Sequence, residues 1–385
     1  MATGPSVPPA PETPAQPHSC RLAADASLFP LWDASVPYPA FDEMPDLDVV
    51  THVSVERAAP DGYRYLHGTA LAFWKGALHL GWTNGREGEV NVEGEVVRGK
   101  RSTDGGLSWG PASLWAEPPA LGAVGINHPV LAVHEGRLWG FFTAWNDRKP
   151  RTEIFWFNDS DNRWAPADIR IPGFVPFNPP QRLGNGAWII PGENFWYEAS
   201  AALCRDDAWT RWDVVPIPHP ADMAFEFPET TLLDQGDRLL AVCRPKGMPT
   251  ALVSVSLDHG RSWSLLHPSN FPMAPAKPCA RRLSTGQHLL LTNHLEEKRT
   301  LLTLAVAAPG SRVFSRIWKL RHQATPKRRL YPGVYWHGKL MKPMLGTATE
   351  WSYPCALEHE GHLVVSYTQG KEDACVSVIP LRVLA

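Results

Sequence analysis

A set of ionisable and aromatic residues recurs at fixed distances from six hairpin glycines, and their types suit anion binding and proton transfer. The glycines are Gly76, Gly136, Gly186, Gly236, Gly286 and Gly361. Eight residues after each stand Asn84, Ala144, Asn194, Arg244, His294 and Gln369. About eight before stand Gly68, His128, Asn178, Pro228, Pro278 and Tyr353, flanked by His67, Asn127, Glu229 and Lys277. Arg carries a fixed charge in a planar fork that matches a carboxylate. Imidazole titrates near neutral pH and suits proton transfer. His67, His128 and Tyr353 near Arg244 would meet the needs of elimination from a uronate, which requires a carboxylate neutraliser and a base. Strand ends are polar in any case, but solvated ends seldom gather this many ionisable and aromatic groups around one axis.

The elements that must position these residues are read from the same glycines. Each lies between two apolar runs, as in HGTALAFWKGALHLGWTN, NHPVLAVHEGRLWGFFTAWN and FPETTLLDQGDRLLAVCRP. Such hairpins repeated at about 50 residues predict an all-β, six-bladed β-propeller of four-stranded antiparallel blades. The blades are expected at 66–117, 127–170, 177–216, 226–268, 279–322 and 352–385. The last span holds about three strands, and a strand near Val49–Val55 would complete it and close the ring. In such a blade the first strand lies nearest the axis. The start of the first strand and the end of the second then share one face, so the polar residues converge at one mouth.

A second repeat marks the opposite face. Ser102–Trp109 and Ser256–Trp263 both spell S-x-D-x-G-x-x-W. Asp accepts hydrogen bonds from turn amides, Gly takes a positive φ, and Trp folds back between sheets. Degraded copies run Asp159–Trp164, Asp207–Trp212 and Pro309–Phe314. Residues 102–109 and 256–263 should be turns, with Trp109 and Trp263 largely buried. Between blades five and six the glycine spacing widens, and the extra residues, about 323–350, include Lys327-Arg328-Arg329 and Tyr331-Pro332. They should sit on the polar mouth as a lid or specificity loop.

Composition bounds the reading. The 385 residues are 44% hydrophobic with 17 Trp, ample for one large core, and 30 Gly with 38 Pro fit a turn-rich all-β chain. Residues 1–46 read as a Pro-rich disordered tail and a lead-in, and 47–385 as a single propeller domain. A net charge of −2 gives no electrostatic reason to expect nucleic acid or membrane partners. No apolar stretch is long enough to span a bilayer. No basic residue precedes Arg21 and no apolar segment follows it, which argues against a signal peptide and for a cytoplasmic protein. The six cysteines show no C-x-x-C spacing, so a zinc site is not expected, and disulfides stay open.

The S-x-D-x-G-x-x-W turns resemble the Asp box of the sialidase superfamily, and the resemblance extends over about residues 60–385. It implies a Tyr nucleophile opening the last blade, where Tyr353 stands, assisted by a Glu at the start of the fourth blade, where Glu229 stands. It implies a carboxylate clamp in which Arg244 matches the second Arg and Arg299, in Arg299-Thr300-Leu301-Leu302-Thr303, the third. The family's acid, normally Asp, lies between the first hairpin and the first Asp box, where this chain has Glu87 and Glu89. The family's first Arg, in R-I-P-A-L, is absent: the corresponding stretch is His67-Gly68-Thr69-Ala70-Leu71.

The reading that results is a sialidase-like exo-glycoside hydrolase acting on a terminal acidic sugar of a glycan. Tyr353, Glu229, Glu89 and His67 are its catalytic candidates. Arg244, Arg299, His128, Asn194, His294 and Lys277 are its substrate-binding candidates. No cofactor or metal is implied, and the partner is a glycan or acidic saccharide. The rivals are a uronate polysaccharide lyase with His and Tyr acid–base chemistry, and a non-catalytic glycan- or protein-binding propeller.

Overall fold

The computed structural model describes residues 29–89, 94–146, 149–223, 227–322, 328, 330–336, 339–344 and 348–385. The expected tail at 1–20 and Lys327 and Arg329 of the insertion lie outside them. Six antiparallel sheets form the blades. Blade 1 comprises Tyr65–Trp74, Ala77–Gly85, Val96–Ser102 and Ser113–Ala116. Blade 2 comprises Gly125–His134, Arg137–Asn146, Lys149–Asn158 and Arg163–Pro172. Blade 3 has a divided first strand, Phe174–Pro176 and Gln181–Arg182, then Trp188–Asn194, Ala199–Cys204 and Trp212–Pro216. Blade 4 comprises Thr230–Asp234, Leu239–Cys243, Thr250–Ser256 and His267–Pro272, and blade 5 Cys279–Arg282, His288–His294, Lys298–Ala307 and Arg316–Arg321.

Blade 6 takes Trp351–His359, His362–Gln369 and Asp373–Pro380 from the C-terminal end and its outermost strand, Thr51–Arg57, from the N-terminal side. The strand thus falls two residues later than expected. The resulting ladder pairs Thr51 with Val378 and Arg57 with Asp373. This closure gives the last blade its fourth strand, where the C-terminal segment alone supplies three.

The core is divided among the seams between blades. Strand alternation sends successive residues to opposite neighbours. In blade 3, Ile189 joins Leu232 and Trp263 between blades 3 and 4, while Ile190 joins Phe141 and Trp209 between blades 2 and 3. Residues 29–46 seal the seam of blades 4 and 5, where Phe29, Leu31, Trp32 and Met44 pack with Phe271 and Phe314. Asn270 pins this segment by accepting the amides of Leu31 and Trp32, each at 2.9 Å.

The Asp-box turns form as the sequence predicts. Asp104 Oδ1 accepts the amide of Ser108 at 2.9 Å, and Asp258 Oδ1 that of Ser262 at 2.9 Å. Trp263 is buried, but Trp109 is only half-buried, at the seam of blades 6 and 1. In blade 3 the capping residue is Asp206, not Asp207: Asp206 Oδ1 accepts from the amide of Thr210 at 3.0 Å. Asp207 instead accepts from the Trp188 indole. Ala208 stands where the intact boxes have glycine, and one extra residue puts the capping Asp206 six before Trp212 rather than five. In blade 2, Asp159 pairs with Lys75 at 2.9 Å on the surface rather than capping its turn.

Five cysteines, Cys204, Cys243, Cys279, Cys355 and Cys375, are free and buried. Among the described residues no helix is long and apolar enough to cross a membrane.

Candidate active site

A recurring irregularity aims side chains into the mouth. In blades 1, 2 and 6 the first strand slips register at the same place, between His67 and Ala70, Asn127 and Val130, and Ser352 and Cys355. Within each slip one residue takes a positive φ: Gly68 at 63°, His128 at 45° and Tyr353 at 60°. A bulge bends its strand and re-aims a side chain, and a non-glycine residue at positive φ costs on the order of 1–3 kcal/mol. These are the positions eight before the hairpin glycines. Hydrogen bonds between blades support them: the amide of His128 donates to Thr83 Oγ1 at 3.1 Å, and Lys277 Nζ donates to Pro354 O at 2.8 Å. Lys277 is therefore buried beneath the Tyr353 strand and holds its backbone.

Tyr353, Glu229, Arg244 and Arg299 come together. The Tyr353 hydroxyl donates to Glu229 Oε1. Arg244 Nη1 donates to Glu229 Oε2 at 2.8 Å. The Arg299 guanidinium lies 5.7 Å from the Tyr353 ring centroid, and its Nη2 donates to Pro275 O at 3.3 Å. Burial, then the like charge of Arg244, lowers the pKa of Arg299. Arg244 and Arg299 lie close enough for their like charges to oppose each other, with Glu229, Glu350 and Glu89 offsetting the charge of Arg299, so an added anion would be favoured beside them.

His67 lies against Tyr353, with ring centroids 3.9 Å apart. Thr368 donates its hydroxyl hydrogen to Ser352 O at 3.0 Å, so its oxygen accepts from His67 Nδ1 at 2.8 Å. The tautomer is thereby fixed, and Nε2 is a buried bare lone pair with no partner among the described residues. Burial, reinforced by Lys371 and Arg299, holds the ring neutral, well below its ordinary pKa. His128 stacks at 6.5 Å from Tyr353, and burial lowers its pKa to about 4.

Glu89 occupies the other side of the mouth. Lys371 Nζ donates to its Oε2 at 2.5 Å and the Tyr331 hydroxyl at 2.7 Å. Burial alone would raise this carboxyl, but Lys371 and the two hydrogen bonds hold it at about 2. Its backbone also receives the insertion: the amide of Tyr335 donates to Glu89 O at 2.9 Å. The described part of the insertion, including the hairpin Gly333–Trp336 and Lys339–Pro343, is thus docked on blade 1. It is tied to blade 6 as well, where the amides of Leu330 and Tyr331 donate to Glu372 Oε1 at 2.6 and 2.9 Å.

Asn194 and His294 stand at the same end of the ring, but their polar atoms serve their own turns. Asn194 Oδ1 accepts the amides of Trp196 and Glu198, and His294 Nδ1 that of Glu297. Sequence reasoning missed Lys371 and Glu193, and it set Tyr331 in the insertion over the mouth without its contact to Glu89. Glu193 is the penultimate residue of the second strand of blade 3 and is only 4% exposed. A separate cleft on the Asp-box face, lined by Thr103, Asp104, Leu107, His359 and His362, lies far from these groups. Part of its wall is structural, since His359 packs its ring 4.1 Å from that of Phe73. Among the described residues no cluster of His, Cys, Asp or Glu is arranged to hold a metal.

Six four-stranded blades, Asp-box turns on one face and a polar mouth on the other define a sialidase-fold propeller. The chain belongs to the BNR repeat-like domain family, whose model matches residues 68–365. Its fold is similar to that of a protein of unknown function from Dyadobacter fermentans DSM 18053 (TM-score 0.64, 16% identity, 86% of this chain and 99% of that one). It is also similar to the Hadza microbial sialidase Hz136 (0.65, 14%, 86% and 69%). A third similar structure is Trypanosoma rangeli sialidase in complex with sialic acid (0.61, 11%, 89% and 60%), so the chain spans 60% of that protein's length. No curated protein sequence matches.

Proposed function

We propose that the protein is a glycoside hydrolase that removes a terminal acidic sugar from a glycan. The observation that carries this reading is the chain of contacts Tyr353–Glu229–Arg244, with Arg299 beside the Tyr353 ring. In the reaction the Tyr353 hydroxyl proton passes to Glu229 Oε1, and the phenolate oxygen attacks the anomeric carbon. The bond to the leaving oxygen breaks, and that oxygen takes a proton from an acid. Water then attacks the anomeric carbon and gives a proton to the carboxylate left by the acid, while the Tyr–sugar bond breaks and Tyr353 regains its proton from Glu229. Arg244 and Arg299 hold the sugar's carboxylate. Glu89 is the candidate for the acid's role, which it takes once it is protonated and parted from Lys371. The likeness in fold to sialidases, which include a sialic-acid complex, supports a saccharide as substrate.

Elimination from a uronate is a second reading, favoured by the unshared Nε2 of His67 and by the two imidazoles beside the Tyr353 ring. The test is a panel of 4-methylumbelliferyl glycosides of sialic, glucuronic and galacturonic acids, with polyuronates alongside. Release of fluorophore by the wild type and not by Tyr353→Phe supports hydrolysis. Loss of no activity in that variant contradicts it.

A further inference from the structure

Glu193 is a carboxyl that the mechanism above does not use. Its strand reads Trp188-Ile189-Ile190-Pro191-Gly192-Glu193-Asn194. Alternation puts Glu193 on the side of Ile189, and its cross-strand neighbour Ala199 belongs to the same core between blades 3 and 4. The carboxyl therefore emerges at the mouth end of that seam, beside the first strand of blade 4. The backbones approach closely beside it: a Cβ on Gly192 would meet Val175 O at 2.2 Å, so only glycine fits before Glu193.

The charged groups facing Glu193 are Glu229 and Arg244, both of blade 4. On its own strand, Asn194 is engaged with Glu198. Among the described residues nothing hydrogen-bonds its Oε2, although the side chain is 96% removed from solvent. A buried polar atom left without a partner costs about 1–3 kcal/mol. Such groups are rare in native interiors and call for a partner not yet present. Burial, and then the charge of Glu229, holds the carboxyl well above the usual carboxylate range, against the opposing effect of Arg244. A neutral carboxyl presents one O–H donor and one carbonyl acceptor. An anionic group would meet Glu229, and a cationic one Arg244 and Arg299. A neutral group that both donates and accepts suits the position.

We propose that Glu193 forms a recognition subsite at the seam of blades 3 and 4 for a neutral hydrogen-bonding substituent of the bound sugar, a hydroxyl or an amide. This rests on the saccharide-binding reading of the mouth. Glu193 is then a specificity residue for binding, and the proton delivered to the leaving oxygen comes from elsewhere.

The test uses Glu193→Gln and Glu193→Ala with the panel glycoside that the wild type turns over fastest. Gln keeps a donor and an acceptor in the same shape, so KM stays within about threefold of wild type. Ala raises KM about tenfold or more, and kcat changes less than about threefold in both. Wild-type KM rises as pH climbs through the elevated pKa of Glu193 and the carboxyl ionises beside Glu229; Glu193→Gln lacks that rise. An unchanged KM in Glu193→Ala overturns the proposal. So does a kcat loss of about a hundredfold in Glu193→Gln at constant KM, which would make Glu193 the proton donor. Should the wild type turn over no panel compound, the enzymatic reading fails separately. Saturation-transfer NMR with free sialic and glucuronic acids then decides: binding by the wild type that Glu193→Ala loses supports the subsite, and equal binding, or none by the wild type, overturns it.

Discussion

Arg244 and Glu229 meet at 2.8 Å with side chains 18% and 3% exposed, so the clamp residue is also the counter-ion of a buried carboxylate. Arg244→Ala therefore lowers stability as well as weakening substrate binding. Removing one partner of a buried pair costs about 3–5 kcal/mol, reduced here because Arg244 is partly solvated. Glu229→Gln in the same chain restores most of that stability without restoring activity. Thermal melts of the two single variants and the double variant check this; a double variant no more stable than Arg244→Ala would show that the pair carries no coupling.

Glu229→Gln alone removes the acceptor of the Tyr353 proton. A positioned acid–base group contributes about 10²–10⁴-fold, so kcat should fall by that factor with KM changed little. The steady-state constants on the panel glycoside measure it, and a kcat within threefold of wild type would remove Glu229 from the reaction.

Glu89 ties the insertion through Tyr331, and blade 6 through Lys371, and this latch depends on pH. Its folded-state pKa lies near 2, below the ordinary 4.5, so its stabilisation is present above about 4.5 and is lost as pH falls toward 2. The full shift corresponds to on the order of 3 kcal/mol. Lys371→Met should remove this dependence and make residues 328–344 more susceptible to limited proteolysis at pH 7. Equal cleavage of wild type and variant would contradict the latch.

His67 should remain the neutral Nδ1–H tautomer from pH 5 to 8, because burial and the neighbouring cations disfavour its charged form. Nitrogen-15 NMR of the imidazole reads this directly. A titration within that range, or a protonated Nε2, would contradict the hydrogen-bond assignment through Thr368.

The features legible in the sequence were local ones. Each hairpin glycine and each intact Asp box is set by a few adjacent residues, so blade number and mouth position follow from counting. The positions eight before the glycines were informative because a bulge recurs there and turns His128 and Tyr353 toward the axis. The positions eight after were less so: Asn194 and His294 are polar because they cap their own turns, which looks the same in one dimension as a ligand-binding role. The contacts of Lys371 and Tyr331 with Glu89 could not be read, since they span 282 and 242 residues and arise only when the ring closes. Glu193 was hidden in a strand that is apolar until its last two residues, of which Asn194 alone drew notice as the position eight after a glycine.

Hydrolysis of a glycosidic bond through Tyr353 is the reaction proposed for the mouth. It is tested most directly by letting the wild type act on the panel substrates in oxygen-18 water and weighing the released sugar. Hydrolysis predicts one labelled oxygen in each released sugar and no new ultraviolet absorbance. An unlabelled product carrying a double bond that absorbs in the ultraviolet would contradict it and establish elimination.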